Sequence, residues 1–215
     1  MPDPCKICSN RKPRRYCPGI RADICSICCG IEREMTVDCP LDCEYLAEAH
    51  SRERKPPMSA DDFPNQDIRI TDRFLEENEP LLILVASSLT QAALATPGAI
   101  DYDVRDALQS LIQTFRTLQS GLYYETRPAN PIAARIFSRV QELIAKFRED
   151  LAREQGLHSV RDSDILGMLV FLERMELQHN NGRKKGRAFL HFLLQFFPPL
   201  EPQNTEPAGP SILTV

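Results

Sequence analysis

The side chains with the clearest chemistry are eight cysteines, all between Cys5 and Cys43. Thiolates bind soft metal ions and exchange disulfides, so a dense group of them predicts a metal centre, a redox centre or a set of cross-links. Along the chain they form C-x2-C, a single cysteine, C-x2-C-C and C-x3-C, at Cys5, Cys8, Cys17, Cys25, Cys28, Cys29, Cys39 and Cys43. Short regular spacings of this kind favour metal ligands.

Two of these repeats have a spacing that is typical of a zinc site. Cys5/Cys8 and Cys25/Cys28 are C-x2-C pairs with 16 residues between them. Each pair carries two sulfurs on one tight turn, where both reach an ion at about 2.3 Å, and a tetrahedral structural site needs four such ligands. The sequence therefore predicts one zinc ion bound by these four cysteines.

The remaining cysteines are enough for a second zinc ion. Cys17 lies between the two pairs of the first set, so the two sites would interleave in a cross-braced arrangement. Cys39 and Cys43 supply two further ligands, and the fourth is either Cys29 or His50. We favour Cys29 because it lies closer to the other ligands, and because adjacent cysteines point in different directions and can serve different ions.

A zinc ion with four thiolate ligands has no open position for water, which predicts a structural centre without hydrolytic activity. Zinc binding to small peptides contributes on the order of 10–16 kcal/mol to folding, and a module with few large apolar side chains needs such support. An iron–sulfur cluster is an alternative, but the compact C-x2-C-x2-C run is absent. A thioredoxin-like redox pair and disulfides are less consistent with eight thiols and no βαβ pattern.

Three segments of this module resemble the HIT-type zinc finger, a small cross-braced domain with two zinc ions. They are Cys5–Cys8 (CKIC), Tyr16–Pro18 (YCP) and Ile24–Cys28 (ICSIC), and the module in which they lie, over which the resemblance extends, is about a fifth of the chain. The family pattern departs in two places. It requires a cysteine near Ile20, which is missing, and Cys39–Cys43 must replace its closing ligands. The resemblance implies two structural zinc ions and a treble-clef-like fold.

The segment from Cys28 to Leu46 is also similar to uncharacterised bacterial proteins that join an N-terminal cysteine module to a helical domain. That similarity implies a domain layout and no activity.

The composition is that of a globular protein, with 42% hydrophobic and 26% charged residues in a chain of 215. A net charge of −4 disfavours general polyanion binding by the whole molecule. No apolar targeting segment precedes the cysteines, and polar residues interrupt the uncharged stretch Pro80–Ile100, which predicts a buried helix and no membrane span. We therefore expect a cytoplasmic protein, in which thiols remain reduced.

Beyond the cysteines, the sequence predicts a mainly α protein. Its expected division is a cysteine-rich zinc-binding module (1–50), a linker (51–66), an all-α helical bundle (67–198) and a disordered tail (199–215). The linker is polar and contains Pro56–Pro57, and Asp67–Thr71 alternates as either a short strand or a docking segment. A short helix is expected over Glu44–Arg52.

Apolar residues recur at three- and four-residue intervals through the predicted bundle, which indicates helices. Capping and breaking residues set their limits. We expect a short helix capped by Thr71 or Asp72, then five longer ones over Leu81–Ala95, from Asp103 to Leu122, from Asn130-Pro131 to Gly156, from Asp162 or Ser163 to Leu177, and over Lys185–Phe197. The last is almost entirely apolar, so it is either central in the bundle, which we favour, or covers a partner.

Two basic clusters are candidate contacts for nucleic acid or phosphate. The cations between the first ligands would either bind nucleic-acid phosphates or offset the negative charge of the thiolates. The cations near Asn181-Gly182 would either bind a phosphate at the start of the last helix or complement the C-terminal end of the preceding helix. The first cluster is Arg11, Lys12, Arg14 and Arg15, and the second is Arg183, Lys184, Lys185 and Arg187.

No catalytic motif accompanies the cysteines: the sequence has no G-x-S-x-G, H-E-x-x-H or Walker pattern, and its four histidines are scattered. The sequence therefore predicts a non-enzymatic, zinc-binding interaction or adaptor protein with a protein partner. The alternatives are a nucleic-acid-associated regulator that uses the basic loop Arg11–Arg15, and an iron–sulfur or redox protein.

Overall fold

The structure is a computed structural model that describes residues 3–53, 55–122, 124–155 and 160–200, except for the side chains of residues 60, 154 and 155. It is mainly α-helical, with one two-stranded sheet and a cysteine cluster near the N-terminus, which confirms the predicted fold class. The predicted helix end at Gly156 and nearly all of the predicted tail lie outside the described residues.

The cysteine-rich part consists of a hairpin and two short helices. The strands pair antiparallel, with Cys17 opposite Ala22 in the register. Ile24 and Leu46 are almost fully buried among the cysteines and form a small core. The elements are β1 (Arg15–Cys17), β2 (Ala22–Ile24), α1 (Ser26–Glu32) and α2 (Glu44–Arg52), the last with the bounds predicted from the sequence.

The remaining helices form a bundle. Helix α5 packs against α6 and α7, α4 packs against α6 and α7, and α8 contacts α4, α7 and the module helix α2. Their buried side chains form one continuous apolar core. The elements are a 3-10 turn (Ala60–Asp62), α3 (Asp72–Glu77), α4 (Glu79–Leu94), α5 (Asp101–Gln119), α6 (Pro131–Gln155), α7 (Asp162–His179) and α8 (Ala188–Phe196).

Polar side chains satisfy the first backbone N–H groups of two helices where the sequence predicted caps. Thr71 Oγ1 accepts a hydrogen bond from Phe74 N at 3.1 Å, and Asn130 Oδ1 accepts one from Ile132 N at 2.9 Å. Helix α4 carries Pro80 in its first turn, as predicted. The starts of these three helices therefore follow local capping chemistry.

The predicted starts of α5 and α8 are wrong. Helix α5 begins at Asp101, so Asp103 lies in its first turn and accepts a hydrogen bond from Ile100 N. Asp101 is buried, and its two carboxylate oxygens accept hydrogen bonds from Phe189 N and Leu190 N, both at 3.0 Å. This interhelical cap fixes the start of α8 at Ala188, three residues later than predicted.

The apolar helix α8 is buried on one side only. Phe189, Leu190 and Leu193 are almost inaccessible to solvent, whereas Phe196 is 59% exposed. Because α8 contacts both the bundle and α2, it lies between the bundle and the cysteine module. Its apolar residues are therefore explained in part by packing against the bundle on one side and against α2 on the other.

The segment that was predicted as a linker is held against the bundle. Met58 N donates to Gln178 Oε1 at 3.0 Å, and the Arg174 guanidinium donates to the carbonyl of Asn65 at 2.8 Å. Farther along, Asp67 pairs with Arg116 at 2.7 Å. No strand forms at 67–71, all of which the structure describes. Of the two alternatives for this segment, the docking segment is therefore the correct one.

None of the helices in the described part of the chain combines the length and apolarity needed to cross a membrane. The stretch Pro80–Ile100, which was expected to be a buried helix, contains α4, and Val85, Ala86 and Leu89 on it are fully buried in the core.

Gly167 on α7 is a packing constraint that predicts a measurable effect. A Cβ atom there would lie 2.5 Å from the Phe74 ring of α3. Overpacking costs about 1–3 kcal/mol, more than the gain of about 1 kcal/mol in helix propensity that replacing glycine by alanine brings. We expect Gly167→Ala to lower the free energy of unfolding in urea by about 1–2 kcal/mol. In the double variant, Phe74→Leu should restore part of the lost stability.

Gly30 on α1 provides the matched control, because a Cβ atom there meets no atom within 4 Å. We expect Gly30→Ala to leave the free energy of unfolding unchanged or to raise it by up to about 1 kcal/mol. Equal effects of the two substitutions would contradict the contact with Phe74.

Candidate metal centre

Four cysteines converge at one point of the module. The sulfurs of Cys5, Cys8, Cys25 and Cys28 all lie within 4.8 Å of one another. A tetrahedral ion with metal–sulfur bonds of about 2.3 Å holds its sulfurs about 3.8 Å apart, so each sulfur–sulfur distance would have to shorten by about 1 Å at most. The two C-x2-C pairs that the sequence grouped are thus brought together, and the cluster could hold a metal ion.

A tight turn forms the first pair, and backbone N–H groups donate to a sulfur of each pair. At the first pair, Ser9 has a left-handed φ of 52°, and its N–H donates to the Cys5 carbonyl at 2.7 Å. At the second, Cys25 caps α1 and its sulfur accepts from Cys28 N at 3.4 Å, while Cys25 N donates to Cys5 Sγ at 3.2 Å. Such hydrogen bonds stabilise thiolates and orient them for an ion.

The thiols of this cluster have pKa values that move in opposite directions. Burial raises the pKa of Cys5, but backbone hydrogen bonds from Cys8, Cys25 and Ile7 outweigh it and lower the pKa to about 6. Burial and the neighbouring thiols raise the pKa of Cys28 to about 12. Four crowded sulfurs therefore share protons when no cation is present, and a divalent ion would take the place of those protons.

The other four cysteines are gathered around a single small cavity. Cys17, Cys29, Cys39 and Cys43 all line it, and its volume of about 10 Å³ is close to what one water molecule needs. Burial, together with the charges of the neighbouring thiols, raises the pKa of Cys39 to about 11. Within the described residues, however, only the first set brings three or more ligand atoms within 4.8 Å of one another.

His50, the alternative fourth ligand, is directed elsewhere. Its side chain is only 5% exposed, and Nε2 lies 3.0 Å from the carboxylate of Glu34. It does not line the cavity of the second set, where Cys29 does. Of the two candidates that the sequence left open, only Cys29 lies beside Cys17, Cys39 and Cys43.

The basic loop of the module lies partly against the thiols. Arg15 donates to Cys29 Sγ at 3.5 Å and its guanidinium lies 4.1 Å from the centre of the Tyr45 ring. A hydrogen bond to Cys25 raises the pKa of Arg11 above its ordinary value. These contacts match the interpretation in which the cations offset thiolate charge. Arg11, Lys12 and Arg14 are exposed to solvent.

Side chains of the second basic cluster contact the module. Arg183 donates to the carbonyl of Arg33 at 2.7 Å, and Lys185 Nζ donates to the carbonyl of Thr36 at 3.0 Å. The loop before α8 is therefore a docking element, and Lys184 is its exposed member.

Arg187 extends the same contact to a cysteine of the second set. Its guanidinium donates to the carbonyl of Cys39 at 2.7 Å, pairs with Asp38 at 2.6 Å, and donates to the carbonyl of Ala99 at 2.9 Å. One side chain thus connects the loop that carries Cys39 to the loop between α4 and α5. Its charge is committed to these contacts.

Glu34 is the functional residue that the sequence did not reveal. It is fully buried, it has a left-handed φ of 55°, and its carboxylate accepts hydrogen bonds from His50 Nε2, Asn181 Nδ2 at 2.7 Å and Arg187 N at 2.7 Å. Its carbonyl accepts from Lys185 N at 2.7 Å. A charged residue in a short polar turn carries no pattern that predicts burial, because its partners lie far away in the sequence.

The three donors keep Glu34 ionised. Burial raises its pKa, but the hydrogen bonds from His50, Arg187 and Asn181 outweigh that effect, and the pKa lies below its ordinary value of 4.5. A buried carboxylate with this many donors joins the module to the bundle through charge-assisted hydrogen bonds.

All eight cysteines belong to the described residues, and none of them forms a disulfide. Comparison with known proteins gives no match to a protein family, a curated protein or a solved structure.

The Glu34 contacts predict a large effect from a single isosteric change. Glu34→Gln removes the charge and turns an amide N–H towards groups that donate, which leaves buried donors without acceptors. We expect it to lower the free energy of unfolding in urea by about 2–4 kcal/mol.

Glu48→Gln is the matched control, since Glu48 forms an exposed pair with Arg52 on α2. Such pairs contribute about 0.5 kcal/mol or less. If both substitutions changed stability by that small amount, Glu34 would not hold the two parts together.

Proposed function

We propose that this chain is a non-enzymatic interaction protein whose N-terminal module is built around structural zinc. The observation that carries the proposal is the convergence of the four sulfurs of Cys5, Cys8, Cys25 and Cys28. Four thiolates complete a tetrahedral coordination shell and leave no position for a substrate or an activated water. The centre therefore serves folding and shape.

Zinc is the metal that this ligand set favours. A tetrahedral set of four thiolates is typical of zinc or of iron–sulfur chemistry, and short C-x2-C pairs on two separate turns are typical of zinc. All eight thiols are free, which is consistent with a reducing, cytoplasmic setting.

We propose a second zinc ion in the cavity of Cys17, Cys29, Cys39 and Cys43. Four cysteines around a space for one small sphere form an appropriate ligand set, although their sulfurs must move together to bind. The module core outside the cysteines is little more than Ile24, Val37 and Leu46, so two ions at about 10–16 kcal/mol each would supply most of its folding energy.

Metal analysis tests this assignment. We expect elemental analysis of protein purified without air, and then treated with a chelating resin, to give two zinc ions per chain and no visible absorption. Cys29→Ser should retain one ion and His50→Ala both, because only Cys29 lines the second cavity.

Iron with sulfide and a brown colour would overturn the zinc assignment. One zinc ion in the wild type, unchanged in Cys29→Ser, would restrict the metal to the first set.

Exposed apolar side chains on the module support docking to a macromolecule. Ile27 and Ile31 lie four residues apart on α1, on one face, and are 49% and 62% exposed; Tyr16, Ile20 and Met35 add further exposed apolar surface. A small module bound rigidly to a bundle presents this surface in a fixed orientation, which favours recognition of a partner.

A protein partner is favoured over nucleic acid. The chain has a net charge of −4, and Arg15 contacts the Cys29 thiol, which leaves Arg11, Lys12 and Arg14 as exposed cations of the loop. Three cations give few phosphate contacts, whereas apolar surface is what protein interfaces bury in their centre.

The docking face predicts a specific loss of binding. Affinity capture with the tagged full chain from an extract of its native cell should recover a protein partner, and Ile27→Ser with Ile31→Ser should remove it without loss of zinc. Leu122→Ser, an equally exposed apolar position in the bundle, is the matched control and should keep the partner.

Two results would contradict the proposed partner class. One is capture that is the same for the α1 variant and the wild type. The other is binding to RNA or DNA at low salt that falls steeply as salt is raised and that Arg14→Ala weakens.

A further inference from the structure

A second cluster of metal-ligating side chains lies outside the thiols, in an open pocket between α2, α7 and α8. The pocket has a volume of about 440 Å³ and three histidines line it, one from each helix: His50, His179 and His191. Their imidazoles come from positions 50, 179 and 191, so only the docking of the module on the bundle brings them together. None of them takes part in the thiolate centre.

His50 has one ring nitrogen in use and one free. Nε2 lies 3.0 Å from a Glu34 carboxylate oxygen, which also has Asn181 as a donor, so Nε2 carries the proton and donates it. Nδ1 is buried and has no hydrogen-bond partner within the described residues. A buried polar atom without a partner is rare and points to a group that binds there.

A carboxylate behind a histidine is what orients metal-bound imidazoles in proteins. The hydrogen bond fixes the tautomer, holds the ring in place and raises the basicity of the opposite nitrogen. Glu34 does this to His50, and the lone pair of Nδ1 is then available to an ion.

His191 lies where a second imidazole ligand would be. The centres of the two rings are 5.2 Å apart and the rings are tilted by 50°. Two imidazoles on one tetrahedral ion, with metal–nitrogen bonds of about 2.0–2.1 Å, have ring centres roughly 5 Å apart. Burial lowers the pKa of His191, which favours the neutral ring that binds a cation.

We propose that His50 Nδ1 and His191 bind an exchangeable divalent transition-metal ion in this pocket, separate from the thiolate centre. Water or a small anionic ligand completes the shell, since the described residues contain no group of three mutually close ligand atoms that includes these two histidines. Glu53 and Lys55 also line the pocket, and their charges offset each other. With two protein ligands the ion is held more weakly than by four thiolates.

Cobalt binding to the full chain tests the proposal. The protein keeps its tightly bound metal and passes through a chelating resin without air, and Co²⁺ is then added. We expect one further ion per chain, with the weak visible bands of nitrogen and oxygen ligation and without an intense thiolate-to-cobalt band in the near ultraviolet. Elemental analysis should show that no zinc has been displaced.

Two variants and a matched control identify the ligands. His191→Ala should weaken cobalt binding by at least about tenfold, because it removes one of two protein ligands. His50→Gln keeps an amide N–H for Glu34 and removes the imidazole, and it should do the same. Gln195→Ala lies on the same helix and lines the same pocket, and it should bind as the wild type does.

Three results would overturn the proposal: no cobalt beyond the tightly bound metal, unchanged affinity in His50→Gln or His191→Ala, or a thiolate-to-cobalt band. The first two leave the thiolate centre of the proposed function untouched, because the metal bound there is counted before cobalt is added.

Discussion

The buried carboxylate of Glu34 is the constraint on which the relation between the two parts of the molecule depends. Glu34 lies on a tight turn between α1 and α2 and is buried away from water. Its hydrogen-bond donors come from the module (His50) and from the loop before α8 (Asn181 and Arg187). A buried charge is unfavourable unless it is fully hydrogen-bonded, so the turn, the histidine and the loop can be in place only together. Docking of the module therefore requires a specific hydrogen-bond geometry as well as apolar contact.

The cations next to Glu34 also connect the module to the bundle through hydrogen bonds. Arg183, Lys185 and Arg187 donate to backbone carbonyls of the module, which has too few apolar side chains to bury a large interface. Guanidinium groups suit this role because they offer several donors in a fixed geometry. The carbonyl of Cys39 is one of the acceptors, so the loop that carries a cysteine of the second set also contacts the bundle. Metal binding at that set and docking of the module would therefore reinforce each other.

Under the proposed function, this coupling gives the protein a rigid module with an exposed apolar face. Folding of the module depends on its ions, and its orientation depends on Glu34, so loss of either would remove the surface formed around Ile27 and Ile31. The histidine pocket lies on the same junction and shares the Glu34 carboxylate. An ion bound there would add to the contact between α2 and α8, and would connect metal availability to the orientation of the module.

The sequence by itself determined what depends on near neighbours. The C-x2-C pairs predicted the set Cys5, Cys8, Cys25 and Cys28, and the apolar periodicity with caps such as Thr71 and Asn130 predicted the helices, because turn geometry and helix capping are local. It could not predict Asp101 as the cap of α8, Glu34 as a buried acceptor, or Arg183 and Arg187 as docking residues. In each case a charged side chain meets at least one partner that lies 88 or more residues away in the chain, and only the tertiary structure decides which distant groups come together.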